Sequence, residues 1–419
     1  MIKSVRVMLR PNNKQRTKLK ETADAARHAY NWTVALQMAT FEETGKYLSD
    51  KEVRRLFTQY KQEKAWLYNV SNDALKQTIK DACKAFWRFI VEKKKPGYHP
   101  YSKKQIERAK RLGKTLTRYD MQHHPKYKKK NEAQPKFYVD TDKIEFSETH
   151  VQLEKIANGK RKNRAQANWI KLAEEGRVPL GVSYTNPRVT YDGINWWISV
   201  GVEYTPTISY PKTSGVGIDV GISKLADVSN ESVYQNINKT QTIRKMKKKQ
   251  RRLQRQISRK YLMNKEGDSY EKTSNIIKSE EKLLRINQRL NGIRHDHVHQ
   301  TTSKIVGQKP SFICMEDLNV QGMMKNKHLA KAIQEQCWYE FSRQIEYKCD
   351  WNGIDYLEAD RYYPSSKMCS CCGNIKKDLK LSDRVYVCEE CGLVIDRDHN
   401  ASLNLEAYGL DTLKEKKAG

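Results

Sequence analysis

The sequence predicts a multidomain α/β protein, and three observations carry that prediction. Short segments of alternating apolar and polar residues stand at both ends of residues 1–210, with strongly helical periodicity between them. Two apolar segments, VGIDV and SFICME, lie roughly a hundred residues apart and are separated and followed by helical patterns, as in a mixed sheet with helical crossovers. Near the C-terminus two Cys-x-x-Cys pairs, Cys369/Cys372 and Cys388/Cys391, mark a small module of their own.

At 419 residues the chain is long enough for about two to four domains with buried cores. Lys and Arg exceed Asp and Glu by 30. A surplus of that size calls for a polyanionic partner, because it otherwise repels itself. A membrane surface is the other polyanion, but no apolar run approaches the roughly 20 residues a membrane-spanning helix needs. The opening MIKSVRVMLRP also lacks a signal-like apolar core. The expectation is a soluble protein of the bacterial cytoplasm or nucleoid, with no membrane role. Cys83, Cys314, Cys337 and Cys349 are scattered among apolar residues and read as buried reduced thiols.

Residues 2–9 alternate as a half-buried strand that stops at Arg10-Pro11-Asn12. Residues 14–39 turn helical, with Leu19, Ala23, Ala26, Tyr30 and Val34 spaced for one buried face. Helical patterns follow at 50–60 and 71–92. The second carries Lys76, Gln77, Lys80, Lys84 and Arg88 opposite its apolar stripe, which reads either as a solvated face or as a nucleic-acid face. Residues 93–136 are basic, aromatic and irregular, suited to phosphate contacts and base stacking or to a plain surface loop. Alternating segments return from 137 to 210, with a hairpin turn at Gly193. A small β-barrel completed by the N-terminal strand, with the helices inserted into it, is the economical arrangement. Trp196 and Trp197 fall on opposite faces of one strand, so one of them belongs in the core.

Residues 211–214 read as a linker. VGIDVGISKLADVSN then forms a strand ending at Asp219, a turn at Gly221 and a returning strand. The block RKMKKKQRRLQRQISRK (244–260) carries Leu253 and Ile257 at near-helical intervals, which favours a nucleic-acid-facing helix over a disordered tail. A second helix at about 279–306 returns antiparallel to it. His295, His297 and His299 within it read as solvated or phosphate-contacting rather than as metal ligands. SFICME is a strand with Glu316 at its exit. A helix at about 330–348 and a strand at 354–358 follow, and a short helix occupies 398–408.

The two Cys-x-x-Cys pairs enclose 15 residues, and each is followed by a Gly (Gly373, Gly392). This is the spacing of a four-thiolate zinc ribbon: two tight turns each present two sulfurs and together close a tetrahedron. Paired disulfides would need an oxidising compartment. Cys371 breaks the two-residue gap and reads as a bystander. Asp219 and Glu316 end apolar strands, and Asp398 opens a helix. Carboxylates at neighbouring strand ends with one from a flanking helix are how an RNase H-like fold gathers oxygens for two Mg²⁺ ions. Asp227, Asp317 and Asp396 read as turn formers or supporting groups.

The strings GIDVGISKLA, CMEDLNV, PSSKMCSCCG, CEECG and DRDHNASLNL, together with RPNNKQ and HAYNW, resemble the TnpB proteins of bacterial insertion sequences, compact relatives of type V CRISPR effector nucleases. The resemblance implies a wedge β-barrel at 1–10 and 136–210 and a helical recognition domain at 11–135. It further implies a RuvC-like nuclease domain at 211–364 and 393–410, with a helical insertion at about 231–308, a zinc ribbon at 365–392 and a tail at 411–419. The family's catalytic acids fall on Asp219, Glu316 and Asp398, where they would bind magnesium. Asp398 is chosen over Asp396 because it stands two residues before Asn400 in a D-x-N-A-x-x-N pattern. The zinc ligands fall on Cys369, Cys372, Cys388 and Cys391. Ser402 replaces a second Ala, and Cys371 is extra. Expected partners are a noncoding guide RNA and double-stranded target DNA, with Lys76, Gln77, Lys80, Arg244, Lys247, Arg251 and Arg255 as contacts and a monomer favoured. The implied activity is RNA-guided DNA cleavage beside a short motif read by the protein. A miniature type V CRISPR effector, or a guide-directed binder or transposition accessory that does not cut, are the alternatives.

Overall fold

A computed structural model describes residues 1–117, 120–130, 132–156, 168–205, 211, 213–267, 269–380 and 383–418, with backbone only at 417 and 418. Lys212 of the expected linker, Gly419 of the tail and residues 206–210 of the alternating region lie outside the described residues. The chain forms two compact units, Met1–Tyr204 and Thr205–Gly419.

In the first unit, β1 (Ile2–Arg10) leads into α1 (Asn13–Thr44), α2 (Asp50–Glu63), α3 (Asn72–Lys93) and α4 (Lys103–Arg111). Strands β2 (Lys136–Tyr138), β3 (Glu145–Phe146), β4 (His150–Gln152), β5 (Trp169–Leu172), β6 (Tyr184–Tyr191) and β7 (Trp196–Glu203) follow. They form one seven-stranded sheet in the order β2-β6-β7-β1-β5-β4-β3. The N-terminal strand is therefore central, pairing antiparallel with β7 from Ile2↔Glu203 to Leu9↔Trp196.

Helix α1 starts where Asn12 and Gln15 cap each other: the Asn12 side chain accepts the Gln15 N–H, and the Gln15 side chain accepts the Asn12 N–H. It ends at Gly45, whose φ of 67° only glycine adopts cheaply. The sequence pattern predicts one buried face, but α1 has two. Leu19, Ala23 and Ala26 pack on the sheet, while Ala25 and Ala29 pack against Val53, Phe57, Leu75 and Ile79 of α2 and α3. Alanines let the helix be approached from both sides, and their weak hydrophobicity hides the second face from a periodicity argument. Trp196 is the core tryptophan. Trp197, on the other face, donates its Nε1–H to Asp192 at 2.6 Å and lies 4.4 Å below the Arg6 guanidinium.

One difference concerns a segment expected to be irregular. Residues 103–111 are helical, started by a Ser102/Gln105 capping box, although none of them is buried. Strand β5 is a short alternation amid charged residues, and it becomes a strand because β1 and β4 flank it.

In the second unit, β8 (Val216–Val220), β9 (Lys224–Val228), β10 (Val233–Gln235), β13 (Phe312–Glu316) and β14 (Asp355–Ala359) form a sheet in the order β10-β9-β8-β13-β14. β13 is parallel to both β8 and β14, and β9 is antiparallel to β8. Between β10 and β13 run α5 (Gln241–Met263) and α6 (Ser274–Gly307), joined by the hairpin β11 (Lys265–Glu266) and β12 (Ser269–Tyr270). Gln250 contacts Asn287, Lys260 contacts Ser279 and Tyr261 contacts Glu280, so the two helices are antiparallel, as the sequence suggests.

The expected helix over 330–348 is two helices, α8 (Ala330–Gln336) and α9 (Trp338–Asn352), after the single turn α7 (Val320–Met323). The break falls at Cys337, whose φ of 58° is left-handed without a glycine to announce it. After β14 come β15 (Val385–Val387) and β16 (Val394–Asp396), which pair antiparallel, and then α10 (Arg397–Ala418), which begins one residue before and ends ten residues after the expected 398–408. Helix α10 lies on β8 and β13. A Cβ on Gly217 would stand 2.0 Å from the Ser402 carbonyl oxygen, and one on Gly409 would stand 2.5 Å from the Phe312 ring. Glycines on both elements thus allow the close approach.

Candidate metal centres

The sulfurs of Cys369 and Cys391 are 3.6 Å apart and those of Cys372 and Cys388 3.5 Å apart. All four lie within 4.8 Å of one another, the one such group of metal-type donors among the described residues. A tetrahedral zinc with Zn–S bonds of about 2.3 Å needs sulfur–sulfur edges of about 3.8 Å, so the set fits that ion closely. Each knuckle closes on its glycine: Gly373 N–H donates to the Cys369 carbonyl and Gly392 N–H to that of Cys388, with φ of 75° and 73°. Tyr386, fully buried, pins the ribbon by donating to the carbonyl oxygens of Lys367 and Asn374. Cys371 is exposed and outside the cluster.

The parallel register pairs Ile218 with Met315, so Asp219 and Glu316 stand at the same ends of adjacent strands. Asp398 sits in the first turn of α10. Asp219 keeps part of its surface open at the strand end. Its carboxyl is nonetheless pushed well above the usual carboxylate range, first by burial, then by the charges of Glu316 and Asp398, with Arg397 opposing. A divalent cation seated at Asp219 would offset that burial and the repulsion from its two acidic neighbours.

Supporting groups sort the remaining acids. Asp396 Oδ1 accepts the backbone N–H groups of Asp398 and His399 at 3.0 and 3.2 Å, the role of a helix cap. Asp227 is buried opposite Asp219 across β8 and β9, and Lys224 donates to it at 2.6 Å. Asp317 pairs with Arg361. Three residues to which the sequence reading gave no role at the site also frame it. Ser365 donates its hydroxyl to Glu316 Oε1. Asn404 donates to the carbonyls of Ser365 and Met368, both at 2.7 Å. Asn400 donates to Met368 O at 2.7 Å and accepts the Ser370 N–H at 3.0 Å. The four-residue spacing of the two asparagines, one helical turn in D-x-N-A-x-x-N, was the available signal.

Of the residues expected to meet nucleic acid, Lys80, Arg244, Arg251 and Arg255 are exposed. Lys76 pairs with Asp73 at 3.2 Å, and Gln77 donates to Asp81 at 2.8 Å. Lys247 is engaged inside the second unit: its ammonium lies 2.5 Å from Glu335, which also receives Arg294. In the His trio, His297 Nε2 meets the Gln235 carbonyl and His299 Nδ1 meets the Lys348 ammonium, so these two have partners other than a metal.

The fold and site define a multidomain α/β protein with a four-cysteine module next to an acid-bearing sheet. Three family models match it: "Probable transposase" over residues 199–327, "Cas12f1-like, TNB domain" over 338–405 and "Helix-turn-helix domain" over 1–46. Residues 1–46 do not form a helix-turn-helix here; they form β1 and the single helix α1. A Streptomyces pristinaespiralis protein named "Putative RNA-guided DNA endonuclease" is 27% identical over 96% of this chain and 87% of its own. The Escherichia coli protein "Putative RNA-guided DNA endonuclease InsQ" is 26% identical over 97% and 92%. The solved Cas12f1 chain from a complex with sgRNA and target DNA shares the fold, with a TM-score of 0.53 at 14% identity over 94% of this chain and 83% of that one. Over nearly its whole length the chain is thus similar to proteins named as putative RNA-guided DNA endonucleases, in line with the TnpB resemblance of its motifs.

Proposed function

We propose that this chain is an RNA-guided DNA endonuclease of a bacterial insertion sequence. It would pair target DNA with a guide RNA from the transposon end, read a short motif beside the target, and cut with Asp219, Glu316 and Asp398. The observation that carries the reading is the meeting of those three acids at one end of the β8–β13 sheet, two at adjacent strand ends and one at the start of a helix packed on those strands. The order β10-β9-β8-β13-β14, with its mixed pairing, supports an RNase H-like, RuvC-type domain. The seven-stranded sheet supports a wedge domain, with the helices between β1 and β2 as the recognition domain. The names of the relatives support the guided activity.

The three carboxylates would hold Mg²⁺, and Cys369, Cys372, Cys388 and Cys391 would hold zinc. Bound there, Mg²⁺ supplies Lewis-acid polarisation of the scissile phosphate and a nucleophilic water at neutral pH. Asp219, buried and facing the charges of Glu316 and Asp398, would be stabilised as a carboxylate by such a cation. The net charge of +30 holds guide and target through phosphates, while base pairing supplies sequence.

Asp219→Ala, Glu316→Ala and Asp398→Ala, each purified with bound RNA, are expected to lose cleavage of a guide-matched duplex in Mg²⁺ while still binding it in a gel shift. Cleavage that survives any one substitution removes that residue from the site, and survival in all three refutes the nuclease reading.

A further inference from the structure

Beyond the three acids, we infer that Ser365 is a positioning residue for the Glu316 carboxylate, an inference that rests on the nuclease reading above. Its hydroxyl donates to Glu316 Oε1. That contact removes one lone-pair direction and fixes the rotation of the carboxylate about its last bond, leaving Oε2 and the free side of Oε1 to face a cation. Ser365 lies on neither β13 nor α10 and reaches Glu316 from the turn that leads into the ribbon. It is 2% exposed, so water does not compete for the hydrogen bond.

The position of that hydroxyl is set from several directions. Ser365 N–H donates to the Tyr363 carbonyl, and Met368 N–H donates to that of Pro364, which winds the segment into consecutive tight turns. Asn404, itself 2% exposed, donates to the Ser365 carbonyl from α10. The same amide reaches Met368 O, and Asn400, fully buried one turn earlier, holds Met368 O and Ser370 N–H. Cys369, a zinc ligand, lies between these two anchored residues. One face of α10 therefore holds the strap that orients Glu316, while the first turn of the same helix presents Asp398. Two of the three acids are placed by a single hydrogen-bonded unit rather than by the sheet alone.

A buried turn can be anchored by a serine for stability only, and the test separates that role from positioning. Full-length wild type, Ser365→Ala, Ser365→Thr and Glu316→Ala are purified with their bound RNA. Three quantities are measured: zinc content, Mn²⁺ binding by electron paramagnetic resonance, and the Mg²⁺ dependence of guided cleavage. Ser365→Ala is expected to weaken Mn²⁺ binding and raise the half-saturating Mg²⁺ by about 10–100-fold, the usual effect of losing a partner that orients a metal ligand. Zinc content and Mg²⁺-free target binding stay at the wild-type level, and Ser365→Thr, which keeps the hydroxyl, behaves as wild type. The inference is overturned if Ser365→Ala keeps the wild-type Mn²⁺ affinity and Mg²⁺ requirement while Glu316→Ala is inactive. Should Ser365→Ala lose zinc or unfold, a folded Ser365→Thr with a raised Mg²⁺ requirement overturns it equally. If Glu316→Ala itself cuts and binds Mn²⁺ normally, the nuclease reading of Glu316 falls, and the role of Ser365 falls with it.

Discussion

Lys348, on α9, is 5% exposed, and its ammonium meets His299 Nδ1 and carbonyl, Thr302, Ser303 and Gln344. Burial pushes its pKa down to about 8, against a smaller opposing pull from Glu340. The folded pKa is below the unfolded one of about 10.4, so between those values the unfolded chain binds more protons and stability rises with pH. Below about pH 8 the full cost of the buried charge is present. Lys348→Met is therefore expected to gain stability over wild type near pH 7, and the gap should narrow towards pH 10 in paired denaturant titrations. A gap independent of pH would show that the ammonium is not strained by burial. Residue-level legibility was uneven for a physical reason. Asp398 and the four cysteines announce themselves by local spacing. Ser365 and Lys348 act through partners 49 and 45–49 residues away, which no local pattern encodes.

Helix α10 meets β8 through Gly217, where an added Cβ would lie 2.0 Å from Ser402 O and 2.4 Å from Glu406 N. Both are backbone atoms, so a rotamer change cannot relieve the clash, and helix and strand must part. Gly217→Ala is expected to cost about 1–3 kcal/mol or more and to lower guided cleavage, because Asp219 and Asp398 ride on the two elements forced apart. Gly292, inside α6 with nothing within 4 Å of an added Cβ, is the control. Gly292→Ala should stabilise by about 0.5–1 kcal/mol. Calorimetric melting of the two variants tests the pair, and equal effects would mean that α10 does not press on β8. Strands and long helices were readable because their periodicity or caps are local. The break at Cys337, the second buried face of α1 and the full length of α10 were not, because each arises from what the element packs against.

Across the whole molecule, the +30 charge makes phosphate binding the dominant long-range force and ties affinity to salt. The exposed Arg251 and Arg255 of α5 are the natural test, since Lys247 on the same helix is taken by Glu335. If the α5 face meets phosphate, Arg251→Ala with Arg255→Ala should reduce the slope of log affinity against log salt by about 2, roughly one per lost contact. An unchanged slope would make that face a solvated one. The basic character of the helix was plain in the sequence, but which of its cations remain available was decided by Glu335 on another helix.

The linear sequence already carried the chemistry: a thiolate set at ribbon spacing, acids at the ends of apolar strands, a large positive surplus and motifs that resemble those of the TnpB family. These properties are local or summed over the chain, so they survive without any knowledge of contacts. The tertiary structure alone decided the convergence. The parallel register of β8 and β13 sets Asp219 beside Glu316, and the glycine-lined seat of α10 brings Asp398 to them. The turn at Ser365 connects Glu316 to the ribbon. Each of these depends on atoms brought together from distant parts of the chain, and close packing, not sequence spacing, determines their separation.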